Sequence, residues 1–251
     1  MAFTVGATAW LAAWGWLVRR RTSPLWVDTQ ASAALAAGKQ IQDEGIRLLI
    51  VEGPAGAVVA AVGLSLVALG FRSTRGAVAV LAGVALEVTS VQWVIKPLVH
   101  RHELAPGYSF PSSHVGAVVA VAASASLLVS QRGPVGRSLQ PGLGRLVRWL
   151  VGAAGVGDAA LVAAATITTG GHLFSDVVAV IPWAVAVPWL TFALVVPPVA
   201  EPGGPERRRP RTHARRFPAR SGRRQGLLGS PRRATPPRNR SAQARRSISV
   251  R

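Results

Sequence analysis

The sequence predicts an all-α fold, a polytopic membrane helix bundle of about six transmembrane helices with a disordered basic C-terminal tail. Of the 251 residues, 49% are hydrophobic and only 16% are charged. Apolar runs long enough to cross a bilayer recur through the first 197 positions. The net charge of +19 is concentrated at the end, where residues 201–251 hold sixteen arginines against two glutamates. The predicted units are therefore a transmembrane domain, residues 1–198, and a tail, residues 199–251.

Six apolar spans follow one another along the chain. They are predicted at residues 2–18, 48–71, 76–95, 115–130, 149–169 and 177–196. Gly53-Pro54 is expected to break or kink the second span near its start. Residues 22–47 are of mixed polarity and are predicted to form an amphipathic or interfacial connector. The arginine-, proline- and serine-rich tail cannot bury a core and is predicted to be disordered.

The distribution of basic residues predicts the orientation. Six spans put both termini on one side of the membrane. With the termini inside, twenty-two lysines and arginines lie on the inner side and seven on the outer side. The positive-inside rule therefore favours cytoplasmic termini. The predicted location is the plasma membrane, with the tail in the cytoplasm. The Arg19–Arg21 cluster opposes this assignment, so either the first segment does not cross fully or the outer cluster is tolerated.

The absence of cysteine limits the chemistry. A chain with no cysteine has no disulfide, no thiolate metal ligand and no cysteine nucleophile. Catalysis, if there is any, must come from the histidines, carboxylates, hydroxyls and cationic side chains.

Two polar breaks in the apolar sequence are the candidate functional sites. The first runs from Lys96 to His114 and contains an arginine, three histidines and the serine pair Ser112-Ser113. The second follows the fifth span and contains His172. Polar clusters that interrupt membrane-spanning sequence are costly, so function is the default hypothesis. In the predicted topology both breaks lie at the outer face.

His172 and Asp176 are spaced by four residues, so on a helix they would share a face. The carboxylate can then accept from one imidazole nitrogen and fix the tautomer. The other nitrogen is left to act as a nucleophile or a ligand. Gly170-Gly171, just before, allows a sharp turn. The alternative is a polar pair that merely caps the sixth helix.

The run Pro111-Ser112-Ser113-His114 enters an apolar helix. Either serine can cap that helix, and the free amides of its first turn make an anion site. Lys96 and Arg101 supply positive charge nearby, and arginine can bind a phosphate through two hydrogen bonds. A histidine there can protonate a leaving oxygen. The alternative is an ordinary capped helix with basic side chains that snorkel at the membrane edge.

A metal site is a further alternative. Its ligands would come from His100, His102, His114, His172 and Asp176. The adjacent lysine and arginine oppose a dication and suit an anion better.

At these residues the sequence resembles the type-2 phosphatidic acid phosphatase superfamily of membrane lipid phosphatases. That family has three signatures, K-x6-R-P, P-S-G-H and S-R-x5-H-x3-D. The resemblance covers roughly residues 50–197. Lys96 matches the start of the first signature, residues 111–114 match the second with Ser113 in place of glycine, and residues 172–176 match the end of the third.

The sequence departs from the family at two arginines. Glu103 stands seven residues after Lys96, and Thr166, preceded by Ala165, stands six before His172. Some bacterial branches carry the first arginine five residues after the lysine, and Arg101 fits that form. The substitution at Thr166 leaves the phosphate site with one guanidinium fewer.

The resemblance implies a role for each matched residue. His172 would attack phosphorus and become phosphohistidine, with Asp176 holding the ring. His114 would protonate the departing lipid alkoxide and then activate water. The non-bridging oxygens would be held by Lys96, Arg101, the Ser112 hydroxyl and the amides around Ser113. This scheme requires no metal or other cofactor.

The leading hypothesis is therefore a membrane lipid phosphatase that acts on phosphatidic acid, phosphatidylglycerophosphate or a polyprenyl diphosphate. Its partners would be this lipid phosphate substrate and the surrounding membrane lipids. One alternative is a degenerate relative that binds lipid phosphate without turnover. Another is a membrane scaffold whose basic tail docks on anionic lipid or nucleic acid.

Overall fold

The structure, a computed structural model, describes residues 2–19, 21, 23–35, 53–101 and 110–196. In these ranges the chain is helical, without strands, as the sequence predicts. Seven main helices follow in order: α1 Ala2–Val18, α2 Trp26–Leu35, α3 Pro54–Gly70, α4 Thr74–Val99, α5 Ser113–Val129, α6 Pro141–Thr168 and α7 Phe174–Val195. The predicted tail lies outside the described ranges, so its disorder and the domain boundary stay predictions.

Six of the helices correspond to the predicted spans. Three are long and apolar enough to cross a membrane, namely α4, α6 and α7. The other three, α1, α3 and α5, are apolar helices of 17 residues. Part of the connector forms α2, a short helix that packs against α6 and α7.

α7 lies at the centre of the bundle, in contact with α1, α4 and α5. Its first half carries small side chains such as Ala179 and Ala184, which are inaccessible to solvent and permit close approach of the neighbours. α1 runs along it, with Phe3 against Trp189 at one end and Val18 in the same apolar cluster as Ala179 towards the other. The first helix therefore extends along most of α7.

Several helix boundaries differ from the predicted ones. α3 begins at Pro54, with Gly53 as its N-cap, because proline is well suited to the first helical position. α6 begins at Pro141, eight residues before the predicted start, and its 28 residues span about 42 Å. Two arginines in its first turns made this part resemble a loop, but a helix longer than the ~30 Å hydrocarbon core can carry them beyond the apolar region.

A π-helical turn, Val91–Ile95, interrupts α4 just before Lys96. Such turns are rare in proteins, and those that do occur are often found at functional sites. Because a π turn advances each residue through a smaller angle than an α turn, it changes the direction in which the following lysine projects. Lys96 therefore begins a final short helical segment, Lys96–Val99, which ends at His100 in the left-handed region with φ of 52°.

Candidate active site

The end of the first polar break, up to His114, forms the start of α5. Ser112 is the N-cap, and its hydroxyl oxygen accepts from the amide of Val115 at 3.5 Å. This confirms the predicted capping role. Ser112 and Ser113 are both buried, and His114 follows within the first turn. The helix therefore directs its free amide groups and its positive dipole end at the same small region as His114.

The second polar break, which contains His172, forms the junction between α6 and α7. Gly170 ends α6 with φ of 73°, a conformation that strongly favours glycine. The amide of His172 then donates to the carbonyl oxygen of Thr166 at 3.1 Å. His172 consequently lies just before α7 and not on it, contrary to the helical pairing expected from the sequence.

Asp176 lies in the first turn of α7 and reaches back towards His172. Its Oδ2 accepts from the amide of Leu173, the N-cap residue, at 3.0 Å, as acidic residues at this position often do. The same oxygen lies 4.0 Å from Nδ1 of His172. This separation is longer than a hydrogen bond but within ion-pair range, and catalytic contacts often tighten when substrate binds.

The two histidines of the signatures are brought together. The ring centroids of His114 and His172 lie 6.1 Å apart, with the rings inclined at 60°. A backbone hydrogen bond joins their segments, since the amide of Ser112 donates to the carbonyl oxygen of Asp176 at 3.1 Å. Lys96 lies within electrostatic range of His114. Residues from α4, α5 and α7 therefore meet at one end of the bundle.

Arg101 is buried in the same region, with 1% of its surface exposed. Its Nη1 donates to Asp176 Oδ1 at 2.7 Å and to the Ser175 hydroxyl at 2.8 Å. Its Nη2 lies 3.5 Å from Oδ2 of Asp28. Two carboxylates thus flank the guanidinium that was predicted from the sequence to bind phosphate.

Two residues of this network, Asp28 and Ser175, were not predicted from the sequence. Both are inaccessible to solvent. Asp28 belongs to the predicted connector, in which no functional residue was predicted. A signal was available, because Asp28 directly follows the apolar run Leu25-Trp26-Val27, and an acid in such a setting is often paired.

The predicted metal interpretation finds no support among the residues described, where no group of three histidine or acidic side chains is placed to hold an ion. One of its five candidate ligands, His102, lies outside the described ranges, as does Glu103. Thr166, at the position of the missing arginine, is buried, and its hydroxyl donates to the carbonyl oxygen of Ala163 at 2.9 Å.

Comparison with known proteins agrees with this geometry. The sequence pattern of the PAP2 superfamily matches residues 78–198. A solved structure, a transmembrane PAP2-type phosphatidylglycerolphosphate phosphatase from Bacillus subtilis, is similar in fold with a TM-score of 0.61 at 16% sequence identity, over 77% of this chain and 96% of that one. No curated protein matches the chain. The matched segment, residues 78–198, contains both histidine signatures, and over this segment the chain is similar to the PAP2 superfamily.

Proposed function

We propose that the protein is a membrane lipid phosphatase that hydrolyses a phosphate monoester or diphosphate of a lipid through a phosphohistidine intermediate. The observation that carries the proposal is the pair of facing imidazoles, His114 and His172, with ring centroids 6.1 Å apart at the capped start of α5. A phosphoryl group between the two rings would have a nucleophile on one side and a proton donor on the other.

The first chemical step transfers the phosphoryl group to the enzyme. Nδ1 of His172 is directed towards Asp176, so Nε2 is the nitrogen that attacks phosphorus. The bond between phosphorus and the lipid oxygen breaks, and His114 gives its proton to the departing alkoxide. In the second step His114 takes a proton from water, whose oxygen displaces His172 and releases inorganic phosphate.

The anion would be held by fixed positive groups. The start of α5 offers amides around Ser113 and the Ser112 hydroxyl, and Lys96 contributes a charge from α4. Arg101 is proposed as a further phosphate ligand through donor hydrogens that its two carboxylate partners do not use. This arrangement is proposed to act without a metal, as charge stabilisation comes from the protein itself.

An apolar groove supports a lipid as the substrate. A cavity of about 650 Å³ lies between α5, α6 and α7, and its lining includes Val115, directly after His114, and Leu127. These residues are separated by about 18 Å along the helix, close to half the ~30 Å hydrocarbon core. We propose that one hydrocarbon chain of the substrate occupies this groove, since its apolar lining begins at the residue after His114 and follows α5 as far as Leu127.

Phosphate release by the purified protein in detergent tests the proposal. Phosphatidic acid, phosphatidylglycerophosphate and a polyprenyl diphosphate should be compared, each before and after dialysis against a chelator. Release that survives the chelator supports the proposal. Release that is lost and then restored by zinc or magnesium would favour the metal interpretation of the histidines.

A second candidate is a relative that binds lipid phosphate without turnover. It is favoured by Thr166 at the position of an arginine and by Arg101, whose charge is shared with two carboxylates. Saturable binding of lipid phosphate with no phosphate release and no labelled phosphohistidine would establish this alternative.

A further inference from the structure

Asp28 lies outside the segment that matches the family and outside all three signatures. It belongs to α2, the connector helix, yet its side chain is completely buried against the start of α7. A buried carboxylate is tolerated only when charge and hydrogen bonds compensate it. Its partners therefore indicate what it does.

The carboxylate of Asp28 joins three parts of the chain. Oδ1 accepts from the amide of Ser175 at 2.7 Å. Oδ2 accepts from the amide of Leu25 at 2.8 Å and from the Ser175 hydroxyl at 3.1 Å, and it lies 3.5 Å from Nη2 of Arg101. The amide of Ser175 lies in the first turn of α7, where the helix itself supplies no acceptor. Asp28 is thus an external cap for the helix that carries Asp176.

The hydrogen bonds have a fixed direction. Nη1 of Arg101 donates to Ser175 and to Asp176, and the Ser175 hydroxyl donates to Asp28. Arg101 can only donate and the two carboxylates only accept, so this order is the one that satisfies every group. Asp28 therefore determines how the guanidinium lies against Asp176, which in turn faces His172.

We propose that Asp28 is a positioning residue for the phosphatase reaction. It acts through Arg101 and Ser175 to hold Asp176, and through Asp176 the ring of His172, in the orientation needed for attack. It does not itself contact the phosphate. This inference rests on the proposed function, and it adds a residue of the connector helix to the catalytic assembly.

The test is steady-state kinetics of Asp28→Asn beside Asp158→Asn, the same change at a half-buried acid elsewhere on α6. The asparagine keeps an oxygen for the helix cap but removes the charge that orients Arg101. We expect kcat to fall roughly 10- to 100-fold, as for outer partners of catalytic ligands, with KM little changed because phosphate contacts remain. Equal kcat values for the two variants would overturn the proposal.

A double-mutant cycle with Arg101→Lys tests whether Asp28 acts through that arginine. Residues in one network give non-additive effects, so Asp28→Asn should reduce kcat much less in the Arg101→Lys background than in the wild type. Additive losses would mean that Asp28 acts independently of Arg101 and would reject the proposed route.

Hydrogen exchange separates failure of this inference from failure of the proposed function. The amide of Ser175 should exchange faster in Asp28→Ala than in wild type and be unchanged in Asp158→Asn. If exchange responds in this way but wild-type protein releases no phosphate from any lipid, the network is real and the phosphatase function is wrong. If wild-type protein is active and neither exchange nor kcat depends on Asp28, the positioning role is wrong.

Discussion

Arg101 and Asp176 form a buried ion pair, with Nη1 of the arginine 2.7 Å from Oδ1 of the aspartate. Asp28 completes the group on the other side of the guanidinium. Removal of one partner from a buried pair typically costs about 3–5 kcal/mol, because it leaves an uncompensated charge. Arg101→Ala should therefore lose stability as well as activity, since it leaves two carboxylates without their cation.

Thermal unfolding in detergent checks this expectation against Arg132→Ala, the same change at an exposed position. Arg101→Ala should melt well below that control, and addition of Asp28→Asn should recover part of the difference by removing one unpaired charge. Arg101→Lys should restore activity poorly, because an ammonium group cannot reproduce the planar fork. An Arg101→Ala protein as stable as Arg132→Ala would show that the ion pairs contribute little.

His172→Ala should abolish phosphate release, by at least about 10³-fold, because the nucleophile is lost. Asp176→Asn should reduce it by roughly 10²- to 10⁴-fold, since the ring remains but its orientation and tautomer are no longer enforced. Radiolabelled phosphate trapped on the protein by acid quench should be absent from His172→Ala. Wild-type rates in that variant would reject the nucleophile assignment.

Much of the fold was predictable because apolar runs and their polar ends are local features of a membrane sequence. The position of the site at one end of the bundle followed from the same pattern. Lys96, His114 and His172 each end or begin an apolar run, and consecutive antiparallel spans bring such positions together. The serine cap at the start of α5 was likewise readable from Ser112 alone.

The rest of the fold and of the site depends on long-range contacts that no local sequence pattern indicates. Asp28 and Ser175 are 147 positions apart in the chain, and their hydrogen bonds exist only once α2 packs on α7. The π turn before Lys96 changes a helical register that the 3.6-residue period takes as constant. Arg101 and Asp176 are also far apart in the chain. The sequence therefore predicted that Arg101 binds phosphate and gave no sign of its ion pair with Asp176.

The predicted outward orientation of the site can be tested with a pair of single cysteines, because the chain has none of its own. Ser23 lies near the site end of the bundle, and Gln140 lies just before α6, at the opposite end. Both are exposed. Ser23→Cys should react with a membrane-impermeant thiol reagent in intact cells, and Gln140→Cys only after lysis. The reverse pattern would place the site on the cytoplasmic side.

Gly116 is packed too closely to accept a side chain. A Cβ at this position would overlap the carboxylate of Glu87 and would come within 2.9 Å of Val180. Gly116→Ala should destabilise the protein by about 1–3 kcal/mol, as over-packing does. Gly63→Ala, in an open position of α3, should instead be neutral or stabilising by about 0.5–1 kcal/mol.

Unfolding by detergent titration compares the two alanine variants directly. In a Glu87→Ala background the cost of Gly116→Ala should decrease, because the overlapping carboxylate has gone. Equal stability of the Gly116 and Gly63 variants would show that this packing is not tight.

The groove below the site predicts a dependence on substrate chain length that a single glycine can reveal. Gly152 lines the groove, and an added Cβ meets no atom within 4 Å. Gly157 is equally open on the same helix but does not line the groove. Because α5 and α6 are consecutive antiparallel helices, Gly152 lies far from His114, towards the end of the groove near Leu127.

Gly152→Leu should therefore obstruct long chains and spare short ones. With a series of lipid phosphates of increasing chain length, kcat/KM for wild type and Gly157→Leu should rise until the chain fills the groove. In Gly152→Leu the rise should stop at a shorter chain, with a loss of about 4- to 15-fold for long substrates from one or two displaced methylene groups at ~0.8 kcal/mol each. Identical chain-length profiles for the two leucine variants would show that the hydrocarbon chain does not occupy this groove.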